Sequence, residues 1–553
     1  MESEFNLIDE PWICVRMNDM TIKEVSLKDL FLNAHNYKSL AGETKSQDFA
    51  VLRFLLAIIH IVFSRYDING DDEINYGNDC NLEKWNDIFK SGFIPEKPIK
   101  RYFEEWYGRF WLFDENFPFY QSNAVNGKCT YCSTLKMIGS LFESANKKRL
   151  FSERMHKKKE SINITYSEAA RWLLHIHCFD DIAAKDEKKK VPKRTWVGKL
   201  SLIAIQGENL FETLMLNYNA VCDVENGIYE SRPSWENDNN LNGFNNLISV
   251  PDNQAELLSL QSRRVYLCRE NGMVSGYNIF GGDYFEEDDV IAEQMTLWKS
   301  YQEKKFDKCK PRLYDTSKMA WQEFNNIAAF NEEQSDDDNK RTPGIIKWIK
   351  TLIDDNVLDE DYMVKITMSA VIYDYGQATS LPVIDIVSDN LIFHSHLLSD
   401  INFDWRICIS EEIERCNEAA KQIYILYKNL QYACGRKDKD GKTEQSGEQN
   451  AKIQFYDMID HHFRIWLAEL NPENCCMDEY RGKLESKLKK IALRLGNEIT
   501  SQISGTAIFG QYIKASKDKK SNEILSSAVA LNIFHSQINK IFTKAGDYEN
   551  EQK

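Results

Sequence analysis

The stretch Phe49–Phe63 constrains this chain more than any other. It is apolar throughout except for Arg53 and His60. At 15 residues it falls short of the ~20 needed to cross a bilayer as a helix. It therefore reads as the centre of a helix, Gln47–Ser64, that is hydrophobic on every side. Such a helix has to be surrounded by other elements. The chain has the material for that packing: 553 residues, 42% hydrophobic and 12% aromatic. That length suggests about three or four domain-sized units, and wholesale disorder is excluded.

Around this helix the pattern is α+β: a large mixed α/β N-terminal domain (1–400), then a C-terminal four-helix bundle (401–553). Phe5–Ile8 and Trp12–Arg16 read as strands flanking Asp9-Glu10-Pro11, and Asn18-Asp19 as a turn. Val25–Phe31 starts a helix, with Ser26 as N-cap and Asp29 three residues on. Ten aromatics crowd Tyr102–Tyr120, and their helical spacing favours core packing over a base-stacking platform. Ser167–Phe179 reads as an amphipathic helix capped by Ser167. Between 200 and 385, strands (Ser201–Gln206, Val265–Cys268, Val364–Tyr375, Pro382–Val387) alternate with helices (Glu323–Phe330, Ile345–Ile353). Beyond 405 come four long amphipathic helices: Glu411–Tyr432, Ile453–Leu470, Tyr480–Ser501 and Asn522–Lys544.

The charge is distributed unevenly. A formal net charge of −16 excludes a uniformly basic nucleic-acid coat and a basic membrane-surface protein. Residues 135–199 nevertheless hold 16 Lys+Arg against 8 Asp+Glu, net +8, which leaves −24 for the rest. The clusters are Lys147-Lys148-Arg149, Lys157-Lys158-Lys159, and Lys188-Lys189-Lys190 with Lys193-Arg194. A second concentration, Arg481, Lys483, Lys487, Lys489, Lys490 and Arg494, reads as a basic stripe on one helix. Solvated faces and footprints for phosphate backbone are both open readings of such clusters. The 13 cysteines are odd in number and scattered, and Met1–Glu4 is acidic without an apolar run. The expectation is a reduced, cytoplasmic chain with no membrane partner.

Catalytic and metal signals are sparse. There is no Gly-x-x-x-x-Gly-Lys-Ser/Thr loop and no strand-linked Gly-x-Gly-x-x-Gly, so no cofactor is expected. Cys129-x-x-Cys132 has zinc-knuckle spacing, yet one pair supplies only two ligands. His394-x-His396 would project both rings to one side of a strand, without a convincing third partner. Arg171 and His177, with five residues between them, fit a loose Arg-x(4–6)-His pattern of helical RNA-cleaving enzymes, although six residues apart is not one helical face. Arg171 then reads as a surface charge.

The order of further segments is more specific. Phe5-Asn6-Leu7-Ile8-Asp9-Glu10-Pro11-Trp12-Ile13 is followed by Asn116–Gln121, Glu168–Leu174, Asn209–Asn217, Gln261–Arg264, Met295–Trp298, and Phe455-Tyr456 with His462–Arg464. Together they resemble the CasA family, the large subunit of the type I-E CRISPR surveillance complex Cascade. The resemblance implies a non-enzymatic subunit. It would recognise the protospacer-adjacent motif in target double-stranded DNA, help form the R-loop, touch the guide RNA 5′ end, join the other Cascade subunits and help recruit the helicase–nuclease. Sequence reading beyond the motif would be delegated to guide pairing.

Carried over by position, the resemblance implies a guide and motif loop at 144–159, with Asn146, Lys147, Lys148, Arg149 and Phe151. A second basic loop, 185–198, ends in the counterpart of the family's glycine-rich loop. Here that stretch holds only Gly198, with Arg194, Thr195 and Trp196 beside it. Lys299 falls where the family has a lysine in the minor groove. Gln377 falls at the adjoining turn, where the family's asparagine is absent. Lys188, Lys189, Lys190, Lys193, Lys483, Lys487, Lys490 and Arg494 are the expected DNA backbone contacts. The competing classes are the helical RNA-cleaving enzyme and a protein-only scaffold.

Overall fold

The long apolar helix runs from Lys45 to Arg65. Thr44 caps it by accepting the Gln47 N–H at 3.2 Å, and every residue from Phe49 to Phe63 is buried. Its full 21 residues could cross a bilayer by length, but protein covers it on all sides. Phe54 sits edge-on to Phe119 and Trp235, with ring centroids 5.4 and 5.5 Å away. Burying each such side chain stabilises the fold by about 1.5–3 kcal/mol. The two polar interruptions are also internal. Arg53 meets Glu293 through two parallel hydrogen bonds of 2.9 and 3.0 Å. His60 lies edge-on to Tyr218, and burial pushes its imidazole down to about 3, which keeps it neutral.

The computed structural model describes residues 3–73, 77–125, 130–137, 163–180, 194–225, 232–237, 246–290, 292–303, 306–328, 342–359, 361–373, 383–436, 445–513 and 523–543. These form two compact units. One comprises Met1–Tyr314, Asn331–Leu352 and Lys365–Asn390; the other comprises Asp315–Phe330, Ile353–Val364 and Leu391–Lys553. The boundary is thus not a single cut at 400, because two short pieces from before it belong to the second unit. Trp321 explains one of them: it stacks on Phe463 at 4.2 Å and donates its indole N–H to Asp460 at 2.9 Å.

In the first unit, Ile13–Met17 is the central strand between Ile22–Val25 and Tyr37–Leu40. Ser26 caps the helix Leu27–Asn33 by accepting the Asp29 N–H at 3.1 Å. The aromatic block is core: Tyr102, Phe103, Phe110, Phe113, Phe119 and Tyr120 are buried. Phe117 is more exposed and lies under Arg109 at 3.7 Å. The helix Tyr166–Phe179 is capped by Thr165 rather than Ser167, whose hydroxyl accepts from Arg171 instead. The strand Leu202–Ile205 joins a three-stranded sheet with Met363–Tyr373 in the middle and Val383–His394 beyond it.

The second unit is built on four helices, Phe403–Ala433, Gln445–Glu469, Met477–Ser501 and Ser527–Ile541, packed as a bundle. Gly496 allows close approach, since a Cβ there would lie 2.2 Å from Phe534. The last helix starts later than Asn522 because Glu523–Leu525 pairs with Gln511–Ile513 as a β-ribbon. Ser526 then caps it. The expected helix Glu323–Phe330 is a 3-10 turn, Ala320–Glu323, followed by the short helix Phe324–Ile327.

Candidate nucleic-acid interface

Strand pairing brings together described residues that adjoin the three stretches expected to face the groove. Leu202–Ile205 runs antiparallel to Met363–Tyr373, with Leu202 opposite Ser369. On its other side Leu202 bridges Thr296. The Ile203 N–H donates to Met295 O at 3.0 Å, and Leu297 N–H to Ser201 O at 3.3 Å. Antiparallel neighbours leave a sheet at opposite chain ends on the same side. Segment 194–200, the start of Trp298–Glu303 and the end of the Met363–Tyr373 strand therefore emerge together. Lys299 belongs to the second of these. The chain continues from the third toward Gln377.

Lys299 lies on a two-stranded ribbon, Trp298–Glu303 against Phe306–Pro311. The register sets Lys299 opposite Lys310 and Tyr301 opposite Lys308. Residues two apart share a face, so all four side chains line one face. Lys299 and Lys310 are exposed, and among the described residues neither forms a salt bridge. The Lys310 ammonium stands 4.7 Å from the Tyr301 ring centroid. Asp288 accepts from the Tyr301 hydroxyl at 2.6 Å and from Lys308 at 3.4 Å. Like charges directly opposite cost some tenths of a kcal/mol, up to about 1, and an anion laid across the face relieves that cost. Lys308 and Lys310 were not singled out from the sequence, although their two-residue spacing on a strand is the signal.

Segment 194–200 is braced from inside. The Thr195 hydroxyl donates to Cys178 O and accepts the Gly198 N–H at 3.2 Å. The Trp196 indole donates to Glu293 at 2.9 Å and its ring packs on Phe285. These two side chains therefore position the segment, which corrects the expectation that they read groove edges. Arg194 is also mostly buried, with its guanidinium 5.0 Å from the Tyr373 ring centroid. Gly198 leaves no room for a side chain: a Cβ would lie 2.6 Å from the Tyr373 hydroxyl and 2.9 Å from that of Thr195. Glu293 ties the arrangement together. Its carboxylate accepts from Arg53, from Trp196 and, at 3.1 Å, from the Met295 N–H. Sequence reasoning missed it, because an acidic residue in a chain reads as surface until its partner is known.

In the bundle, Lys483, Lys487, Lys490 and Arg494 are exposed along one face of Met477–Ser501. Lys483 pairs with Glu479 at 2.6 Å and Arg494 with Glu498 at 3.8 Å. Arg481 leaves the expected stripe and turns inward to Glu411 and Glu412, at 2.7 and 3.0 Å.

The residues of the enzyme alternative are structural. Arg171 is buried, not a surface charge: it donates to Trp12 O at 2.7 Å and pairs with Glu24 at 2.6 Å. His177 is hydrogen-bonded to Tyr120 O at 2.9 Å, and burial pushes it down to about 3. Neither group is placed to exchange protons with a substrate. Cys132 is buried in the strand Thr130–Ser133. Asn146, Lys147, Lys148, Arg149, Phe151, Lys188, Lys189, Lys190, Lys193, Gln377 and Cys129 lie outside the described residues.

The family described as CRISPR-associated protein Cse1 matches residues 6–495. A CRISPR-associated protein CasA/Cse1 of Thermus thermophilus is 30% identical over 220 residues, 39% of this chain and 39% of that protein. The aligned part is thus less than half the length of that curated relative. Thermobifida fusca Cse1 superposes with a TM-score of 0.78 at 25% identity, covering 98% of this chain and 99% of the other. A chain of a CRISPR RNA-guided surveillance complex shares the fold, with a TM-score of 0.64 at 14% identity over 97% of this chain and 100% of that one.

Proposed function

The chain belongs to the CRISPR-associated Cse1 family, and on that premise we propose that it is the non-catalytic large subunit of a type I-E surveillance complex that checks target double-stranded DNA for its protospacer-adjacent motif. The observation that carries this reading is the common exit of segment 194–200, the Lys299 ribbon and the strand leading to Gln377. Lys299 and Gln377 contact groove edges. The minor groove distinguishes mainly A·T from G·C, so motif preference is broad. The lysines 188–190 and 193 hold phosphates, as do Lys483, Lys487, Lys490 and Arg494. Phosphate contacts set register and carry no sequence information. The loop 144–159, through Asn146, Lys147, Lys148, Arg149 and Phe151, meets the guide RNA 5′ end. Wedging at the motif starts the R-loop, and the bundle side helps recruit the helicase–nuclease. The site of action is the cytoplasm.

The acidic remainder of the chain repels non-specific duplex, which confines contact to the basic patches. The test is salt-dependent duplex binding by the assembled complex carrying Lys188, Lys189 and Lys190 changed to Ala. Each lost phosphate contact lowers the slope of log K against log salt by about 0.9. An unchanged slope removes this cluster from the interface. Absence of any crosslink between this chain and target DNA in the complex favours a protein-only scaffold instead.

A further inference from the structure

We propose that His394, His396 and Asp361 form a binding site for one divalent transition-metal ion of the zinc class. His394 ends the strand Val383–His394, and His396 lies in the 3-10 turn Ser395–Leu398. The Ser395 N–H donates to Tyr362 O at 2.9 Å, which fixes Asp361 beside both rings. The two imidazoles are stacked, with centroids 5.1 Å apart and planes 14° from parallel. Both Nε2 atoms converge on one carboxylate oxygen: Asp361 Oδ1 is 3.3 Å from His396 Nε2 and 3.8 Å from His394 Nε2. Hydrogen bonds between charged groups are shorter, about 2.7–2.9 Å. A tetrahedron with bonds of about 2.0–2.2 Å has edges of about 3.3–3.5 Å. Without an ion, His396 Nε2 is within hydrogen-bond reach of Asp361 Oδ1, which also accepts from Asn471 Nδ2 at 3.5 Å. The His396 spacing equally matches one edge of such a tetrahedron, and a small shift brings His394 Nε2 onto another.

Burial points the same way. The imidazoles are 11% and 8% exposed, whereas Asp361 is 70% exposed and opens the site to solvent. His394 Nδ1 is sealed off without a hydrogen-bond partner among the described residues, so Nε2 is the atom through which that ring interacts. The adjoining cleft, about 480 Å³, is also lined by Asp359 and Glu473, whose charge attracts cations. Two imidazoles with one carboxylate favour zinc, cobalt or nickel over magnesium or calcium. Three protein ligands leave a fourth position for water on the cleft side. The ion would pin Asp361 to the turn at 395–398.

The test is a titration of the purified, chelator-stripped full chain with Co2+ alone. The expected result is one equivalent bound with tetrahedral visible bands and no thiolate charge-transfer band, and displacement by Zn2+. Asp361→Asn and His396→Gln should each weaken binding by more than about tenfold. Asp361→Asn should do so with an unchanged thermal midpoint in chelator, which separates loss of a ligand from loss of fold. A wild-type chain without tetrahedral bands overturns the proposal. So does Asp361→Asn binding as tightly as wild type, or a thiolate band that is lost in Cys132→Ser.

Discussion

Lys299 stands directly opposite Lys310 across a two-stranded ribbon, and Tyr301 lies beneath the Lys310 ammonium on the same face. The repulsion between the two lysines destabilises the ribbon, and the Lys310–Tyr301 contact offsets part of that cost. Lys310→Glu supplies Lys299 with a partner. It also removes the Lys310–Tyr301 contact, so chain stability should change by less than about 1 kcal/mol while duplex binding by the complex weakens. Unfolding and binding measured on the same variant decide this, and parallel losses in both contradict it.

Glu293 is the buried acceptor shared by Arg53, Trp196 and the Met295 N–H. Glu293→Gln leaves the Arg53 charge internal and unpaired, which costs about 3–5 kcal/mol. Denaturant unfolding should record that loss. A cost below about 1 kcal/mol contradicts the bracing role, given that removing one partner of a buried pair is normally severe.

Gly198 abuts the Tyr373 side chain: a Cβ at position 198 would lie 2.6 Å from the Tyr373 hydroxyl but 3.4 Å from Tyr373 Cζ. Gly198→Ala should therefore be destabilising alone and substantially less so in a Tyr373→Phe background. Contacting residues show such coupling at about 0.5–3 kcal/mol. Additive effects in the double-mutant cycle count against the close approach.

Burial, and then the neighbouring Glu485, push the Glu412 carboxyl up from 4.5 to about 7, despite Arg415 and Arg481. The folded chain thus keeps a proton there that the unfolded chain releases at lower pH. Between those two values this group's contribution to stability falls as pH rises. Glu412→Gln should be more stable than wild type at pH 8 and should lose the advantage by pH 4.5. Unfolding curves at both values check it, and a constant difference contradicts it.

Local signals in the chain were enough for the elements and for parts of the site. The apolar run Phe49–Phe63 requires a buried helix, and Ser26 with Asp29 marks a helix start. Lys299 was singled out by its position after Met295–Trp298, and only the strand pairing sets Lys310 opposite it. What stayed hidden is long-range pairing. Glu293 finds Arg53 from 240 residues away, and Asp361 becomes the third partner of His394 and His396 only when two strands and a turn come together. Thr165 displaced Ser167 as cap because Arg171 claims the Ser167 hydroxyl. Glu523–Leu525 became a strand because Gln511–Ile513 pairs with it. In each case a tertiary partner overrode the local preference.

The central claim is motif checking at the exit shared by segment 194–200 and Lys299. Its most direct test is binding of motif-containing and motif-lacking duplexes by the assembled complex, wild type against Lys299→Ala. Lys299→Ala should lose most of the preference for the motif and keep its affinity for the motif-lacking duplex. Equal discrimination by the two proteins contradicts it.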